Sequence, residues 1–185
     1  MTEEEQERKA KVATIITDIQ TGEEKKIIAG LKALKVHGDD DVILPVIDTW
    51  NAGISPKAEE AILTFLGDIK STSSVQSIMD ILLNEEYNEI HLPLLSTIWN
   101  SKVDYSDYLV DFVTLAVQYD FMVVLECLTV IENMDGPFEE HHLLDAELIL
   151  REYAEKQQNE SSDDEKKVQL IHEIAKLIGS FDGRA

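Results

Sequence analysis

Pairs of apolar residues recur along the chain at a spacing close to one helix pair. The first member of each pair is a leucine, spaced 32, 32 and 33 residues apart, at Leu31, Leu63, Leu95 and Leu128. A second apolar residue follows three positions later, at Leu34, Leu66, Ile98 and Ile131. Because residues three apart lie on the same side of a helix, each pair predicts one buried helix face. The recurrence predicts a helix that repeats four times.

A second pattern, two apolar residues followed by an aspartate, occurs after each of these helices. A polar or small turn separates the two patterns each time. The aspartates are spaced 32, 31 and 34 residues apart, at Asp48, Asp80, Asp111 and Asp145. Two patterns with one period predict four helix pairs, in which each pair covers the apolar face of the next. A helical bundle with accidental spacing is the alternative.

These patterns predict a single all-α domain over residues 1–185. It has an N-terminal capping helix at 1–21, four helical repeats at 22–157 and a polar loop at 158–164. A C-terminal capping helix follows at 165–180, with an apolar stripe at Val168, Ile171, Ile174, Ala175 and Ile178.

The prolines mark expected helix starts. Ser55-Pro56 and Gly136-Pro137 predict starts because proline is favoured at the first helical position. Pro45 and Pro93 fall inside the predicted helices, where each is expected to cause a kink or a late start.

The leucine pairs, Leu66-Gly67-Asp68 and the aspartate pattern resemble the HEAT and armadillo repeats over about residues 23–156. This resemblance implies a right-handed α-solenoid of about four helix pairs plus capping helices. It also implies binding of proteins along the concave face, which the second helix of each pair lines. A few proteins of this class do chemistry, including DNA-base excision and bilin attachment. The DNA enzymes of the class use a basic groove, and no basic cluster of useful size occurs in this sequence.

The charge of the chain bears on its partners. With 16 Lys+Arg against 37 Asp+Glu, the formal net charge is -21. Nucleic acids and anionic membranes are therefore not expected as partners, since both are bound through lysine and arginine. A basic protein or peptide would be attracted, although high acidity also serves solubility. Hydrophobic residues make up 44% of the chain, enough for a continuous core.

The N-terminal residues and the single cysteine bear on location and redox chemistry. The acidic start at residues 1–5 is unlike a signal peptide. The most apolar run, residues 121–131, contains Glu126 and is too short to span a bilayer. A cytoplasmic protein without cofactors is expected. Cys127 excludes an internal disulfide and a multi-cysteine metal site, and its apolar neighbours predict a buried, inert thiol.

The recurring aspartates are the first candidate for a site. Equivalent positions in a solenoid project in one direction, so a ladder of carboxylates is expected that binds a basic partner. The predicted partner-binding residues are Asp48, Asp80, Asp111, Asp145, Tyr108 and His141. Tyr108 would be an aromatic anchor. In the alternative interpretation, each aspartate braces a neighbouring repeat or is simply solvated.

A weaker candidate is a metal site made by Glu139, His142 and Asp145. Glu139 and His142 have the i, i+3 spacing of one half of a carboxylate-bridged di-metal site. The sequence has no second Glu-x-x-His, and acids at a helix N-terminus are favoured by the helix dipole alone.

The sequence therefore favours a non-enzymatic interaction scaffold that binds a protein or peptide on an acidic concave surface. One alternative is a metal-dependent or small-ligand enzyme that uses residues 139–147. Another is a structural subunit of a larger assembly, and the oligomeric state stays open. Trp50 and Trp99 fall at apolar positions and are expected in the core.

Overall fold

A computed structural model describes residues 2–38, 40–69, 74–101, 103–160 and 164–181. This part of the chain is 84% helical and contains no strand, which confirms the all-α class. Its ten α-helices are α1 (Glu3–Ile19), α2 (Glu24–His37), α3 (Ile43–Asn51), α4 (Pro56–Gly67), α5 (Ser74–Leu82), α6 (His91–Ser101), α7 (Leu109–Gln118), α8 (Phe121–Glu132), α9 (Glu140–Glu160) and α10 (Glu165–Phe181). Short 3-10 helices precede three of them, at Asp40–Val42, Glu85–Ile90 and Ser106–Tyr108. In these described ranges no helix has the length and apolarity needed to cross a membrane.

The chain forms two compact units, Met1–Ser101 and Lys102–Ala185, where the sequence predicts one domain. In the first unit, α2, α4 and α6 pack side by side in one row, and α3 packs against α5 in a second row. Helix α1 packs on α2 and contacts α3. In the second unit, α7 packs against α9 and α8 packs against α10.

The closest packing between consecutive helices differs from the predicted pairing. It joins α1 with α2 in the first unit, and α7 with α8 and α9 with α10 in the second. The sequence paired each leucine-bearing helix with the helix after it, whereas α2 pairs with α1 and α8 with α7, the helices before them. Helices α1 and α10 are therefore members of hairpins and not separate caps. The reason is connection length, since short connections make antiparallel neighbours. Gly22, with a φ of +74°, lies in the tight turn between α1 and α2.

The repeated leucine positions lie in the core of each unit. Seven of the eight residues are buried, and Leu63 is half-buried. Burying one such side chain stabilises the fold by about 1.5–3 kcal/mol. Trp50 is also buried, but Trp99 is 39% exposed, so its predicted place in the core was wrong. Trp99 directly follows the buried Ile98, and adjacent helical residues point to different sides.

Three of the four prolines lie within the first three residues of a helix, as predicted. Ser55 caps α4, its Oγ accepting from the Ala58 N–H at 3.3 Å, and Pro56 is the first helical residue. Pro45 and Pro93 are the third residues of α3 and α6, so the late starts are confirmed. Proline is tolerated there because the first four N–H groups of a helix have no intrahelical partner.

The two ends of α9 differ from the prediction. Pro137 does not begin this helix, which starts at Glu140. Gly136 has a φ of +70° and donates its N–H to Ser106 Oγ at 3.1 Å, so the chain turns before the helix begins. At its other end α9 continues to Glu160, so residues 158–160 of the loop predicted at 158–164 are helical, and residues 161–163 lie outside the described part of the chain.

Candidate interaction surface

Two of the predicted aspartates lie on neighbouring helices of the first unit. Asp48 is on α3 and Asp80 is on α5, and both carboxylates are exposed. Each follows two buried apolar residues that fasten its helix to the core. Asp80 Oδ1 accepts a hydrogen bond from Gln76 Nε2 at 2.7 Å, one turn earlier on α5. The two carboxylates thus stand on the solvent side of packed helices.

Asp48 has a second, structural contact. Its Oδ1 accepts a hydrogen bond from the Tyr87 hydroxyl at 2.7 Å. This bond, the partial burial of the ring and the negative charges of Asp48 and Glu86 raise the pKa of Tyr87 to about 12. Asn51 Nδ2 donates to the Glu86 carbonyl at 3.1 Å, so α3 is fastened to the 3-10 helix Glu85–Ile90 at two points. Asp48 therefore braces its neighbour, as the alternative interpretation expects, while it stays exposed.

The other two aspartates lie on α7 and α9, which pack together in the second unit. Asp111 is half-buried, and burial is the largest influence on its carboxyl, raising its pKa. A bond from its own backbone N–H and the charge of the nearby His142 act in the opposite direction. Asp145 is exposed, one helical turn beyond His142. Asp111 on α7 is thus within the electrostatic influence of His142 on the packed helix α9, which the sequence did not predict.

The remaining predicted partner-binding residues are His141 and Tyr108. His141 is exposed, and its Nδ1 lies 3.1 Å from Glu139 Oε2. The rings of His141 and His142 are tilted, with centroids 4.1 Å apart. Tyr108 ends the 3-10 helix before α7 and is half-buried.

Of the predicted metal ligands, Glu139 precedes α9, and His142 and Asp145 lie in its first turns. Within the described ranges, no three histidine, cysteine or acidic side chains come together in a group that could hold a metal ion. Glu139, which precedes α9, pairs with His141 rather than with His142. In the second unit, the groups available for charge and hydrogen-bond contacts are the carboxylates of Asp111 and Asp145, the imidazoles of His141 and His142, and the phenol of Tyr108.

A groove with a volume of about 560 Å³ lies between α9 and α10. Its floor includes the buried residues Leu150, Tyr153 and Ile171. Its rim is formed by residues that are exposed or half-buried, namely Ala154, Gln157, Gln158, Glu165, Val168, Gln169, His172 and Ala175. The stripe on α10 was predicted, but its counterpart on α9 was missed. The i, i+3, i+4 spacing of Leu150, Tyr153 and Ala154 was the available signal.

Comparison with protein-family models, with curated proteins and with solved structures gave no match to this chain.

Proposed function

We propose that this chain is a non-enzymatic interaction module that binds a basic protein or peptide through two pairs of carboxylates, Asp48 and Asp80 in the first unit and Asp111 and Asp145 in the second. The observation that carries the proposal is the exposure of three carboxylates on packed helices. Asp48 and Asp80 each follow two buried apolar residues, and Asp145 is followed by the buried Ala146. Carboxylates held on packed helices lose little freedom when a partner binds. The net charge of -21 adds a long-range attraction for cations.

The half-buried Asp111 supports the same function. Burial makes its ionised form costly, and a serine or asparagine would avoid that cost. A carboxylate in such a place supports a role for its charge in binding a partner. Tyr108, at the start of the same helix α7, would supply apolar contact beside that charge.

The packing supports a second, architectural proposal. We propose that the helix hairpins within each unit are successive turns of a HEAT-like α-solenoid. Support comes from the row of α2, α4 and α6 in the first unit and from the pairs α7/α9 and α8/α10 in the second. Such rows are the way that repeat proteins share an elongated core.

The binding proposal is tested with a fluorescent peptide rich in lysine and arginine. The test variant carries Asp48→Asn, Asp80→Asn, Asp111→Asn and Asp145→Asn, because asparagine keeps the size and can still accept the bonds from Tyr87 and Gln76. Exposed ion pairs contribute about 0.5 kcal/mol each, so four give about 2 kcal/mol, or about 30-fold in Kd at low salt. The difference should shrink as salt is added.

A matched control loses the same charge elsewhere. Its four substitutions replace exposed glutamates outside α3, α5, α7 and α9 by glutamine, at Glu7, Glu60, Glu89 and Glu132. We expect this variant to bind the peptide within about threefold of the wild type, since only general attraction is reduced. Equal Kd values for the two fourfold variants would show that net charge alone drives binding, and the proposal would be wrong.

A further inference from the structure

We infer that His91 is a pH-sensitive switch, and that its protonation in mild acid releases the 3-10 helix Glu85–Ile90 from α3. The histidine is the first residue of α6 and is only 1% exposed. Its backbone N–H donates to the Asn88 carbonyl, so this residue closes the 3-10 helix where α6 begins. The inference goes beyond the proposed function and does not depend on it.

A positive charge on His91 is unfavourable in the closed structure. Burial is the largest influence on its pKa and lowers it from the ordinary value of 6.5, while backbone hydrogen bonds with Asn84 and Ile81 act in the opposite direction. The ring also lies at the N-terminus of α6, where the helix dipole disfavours a cation. The cost of protonation is removed when the imidazole reaches water.

The charged side chains around His91 do not set its pKa, which in the described part of the chain depends on burial and on two backbone groups. The elements that pack on α6 or on its 3-10 helix carry Asp48, Lys57, Glu59, Glu60, Asp80, Glu85, Glu86 and Glu89. All of these except Glu59 are exposed. Between about pH 7.5 and about pH 5.5 exposed carboxylates and lysines keep their charge. Tyr87, with a pKa of about 12, stays neutral, so the group that changes charge here is His91.

Exposed hydrogen bonds fasten the 3-10 helix to α3. The Tyr87 hydroxyl donates to Asp48 Oδ1 at 2.7 Å, and Asn51 Nδ2 donates to the Glu86 carbonyl at 3.1 Å. Four of the six residues of this 3-10 helix are exposed, and its buried residue is Ile90. Segments with few buried side chains and exposed hydrogen bonds open locally at lower cost than a whole unit unfolds. Local opening is therefore the route by which the imidazole reaches water.

The direction and size of the effect follow from proton binding. Well above pH 6.5 the closed and open forms both carry a neutral His91. Below this value the open form binds a proton that the closed form resists, so opening is favoured as the pH is lowered. If the closed form stays neutral, the opening constant rises about tenfold between about pH 7.5 and about pH 5.5. The opened surface has Asp48 without the Tyr87 hydroxyl and Ile90 accessible to water.

Hydrogen exchange of the full chain tests the inference, at both pH values and with or without urea below the unfolding transition. Protection factors correct for the intrinsic effect of pH on exchange. We expect the amides of residues 85–91 to lose protection about tenfold in acid, with much less response to urea than the amides of α4. A loss below about threefold would overturn the inference. Exchange as sensitive to urea as that of α4 would also overturn it, since His91 would then be protonated only when the whole unit unfolds.

Two histidine variants identify the titrating group. His91→Gln takes up no proton in this range and should abolish the effect of pH on residues 85–91. His172→Gln, at an exposed histidine of α10, is the matched control and should keep the effect. If folded His91→Gln retains the change, another group is responsible and the inference fails. If His91→Gln does not fold, the urea comparison on the wild type still decides.

A third variant tests the contact that opening breaks. Tyr87→Phe removes the hydroxyl that donates to Asp48 and should increase opening severalfold at both pH values. The change between the two pH values should stay about tenfold, because His91 is intact. Protection equal to that of the wild type would show that opening does not separate Tyr87 from Asp48, and the release from α3 would be wrong.

Discussion

The contact between α1 and α2 allows a stringent test of the first hairpin, at Gly30. This glycine is buried in α2, where a Cβ would lie 2.5 Å from Ile19 Cγ1 and 2.8 Å from Ile19 Cδ1. Ile19 is itself fully buried, so its side chain has no solvent into which it can move. The substitution Gly30→Ala should therefore force an overpacked contact at the centre of the hairpin.

The expected size follows from two opposing effects. Alanine in place of glycine inside a helix stabilises it by about 1 kcal/mol. Overpacking a filled core costs about 1–3 kcal/mol. Gly30→Ala should thus lower the free energy of unfolding by up to about 2 kcal/mol, although alanine is the better helix former. Gly67→Ala is the control in the same unit, because a Cβ at Gly67 meets no atom within 4 Å.

The assay is urea unfolding followed by tryptophan fluorescence, since Trp50 and Trp99 both lie in the first unit. Gly67→Ala should be neutral or stabilising. Adding Ile19→Val to Gly30→Ala removes the atom at 2.8 Å and should recover part of the loss, as a double-mutant coupling of about 0.5 kcal/mol or more. If Gly30→Ala stabilises the chain by as much as Gly67→Ala, α1 does not pack on α2 as described.

Three further predictions concern buried polar groups. Lys167→Met should destabilise the second unit by about 1–3 kcal/mol, because the charged hydrogen bond to Val117 is lost, and faster hydrogen exchange in α7 and α10 would report it; unchanged exchange would contradict the role of Lys167. Burial lowers the pKa of His91 despite backbone hydrogen bonds that act the other way. Below about pH 6.5 His91 binds a proton in the unfolded chain but resists protonation in the folded chain. The free energy of unfolding should therefore decrease as the pH is lowered through this range. Urea midpoints in a pH series should show this fall in the wild type and a smaller one in His91→Gln, and identical slopes would refute it. Cys127 is fully buried, and burial raises the pKa of its thiol, so a disulfide reagent should label it only after denaturation; rapid labelling of the native chain would be the contrary result.

The periodic part of the fold could be predicted because it depends on local spacing. Leu31, Leu95 and Ile131 are buried where the i, i+3 pattern places them. The pairing of helices was missed because a repeat of about 32 residues has no unique starting point. Which neighbours form a hairpin depends on connections, such as the turn at Gly53, where φ is +92° between α3 and α4. A periodic pattern alone does not contain that information.

The candidate site was predictable only in part, for a similar reason. The exposure of Asp48, Asp80 and Asp145 follows from their places beside buried residues on a helix. The approach of Asp111 to His142 joins two helices, and a pattern along one helix does not reveal it. Leu144 shows the limit of the apolar-apolar-Asp pattern, because it is 59% exposed beside the buried Leu143. Adjacent helical residues point in different directions, so both are buried only where the core covers a wide face of the helix, as at Val46 and Ile47.

Hydrogen exchange with and without the lysine- and arginine-rich peptide tests the proposed binding surface most directly. If the aspartates bind basic partners, amides of α3, α5, α7 and the first half of α9 should exchange more slowly in the complex, and α2, α4 and α8 should be unaffected. Protection confined to α2, α4 and α8, or equal protection of every helix, would contradict a binding surface on the aspartate-bearing helices.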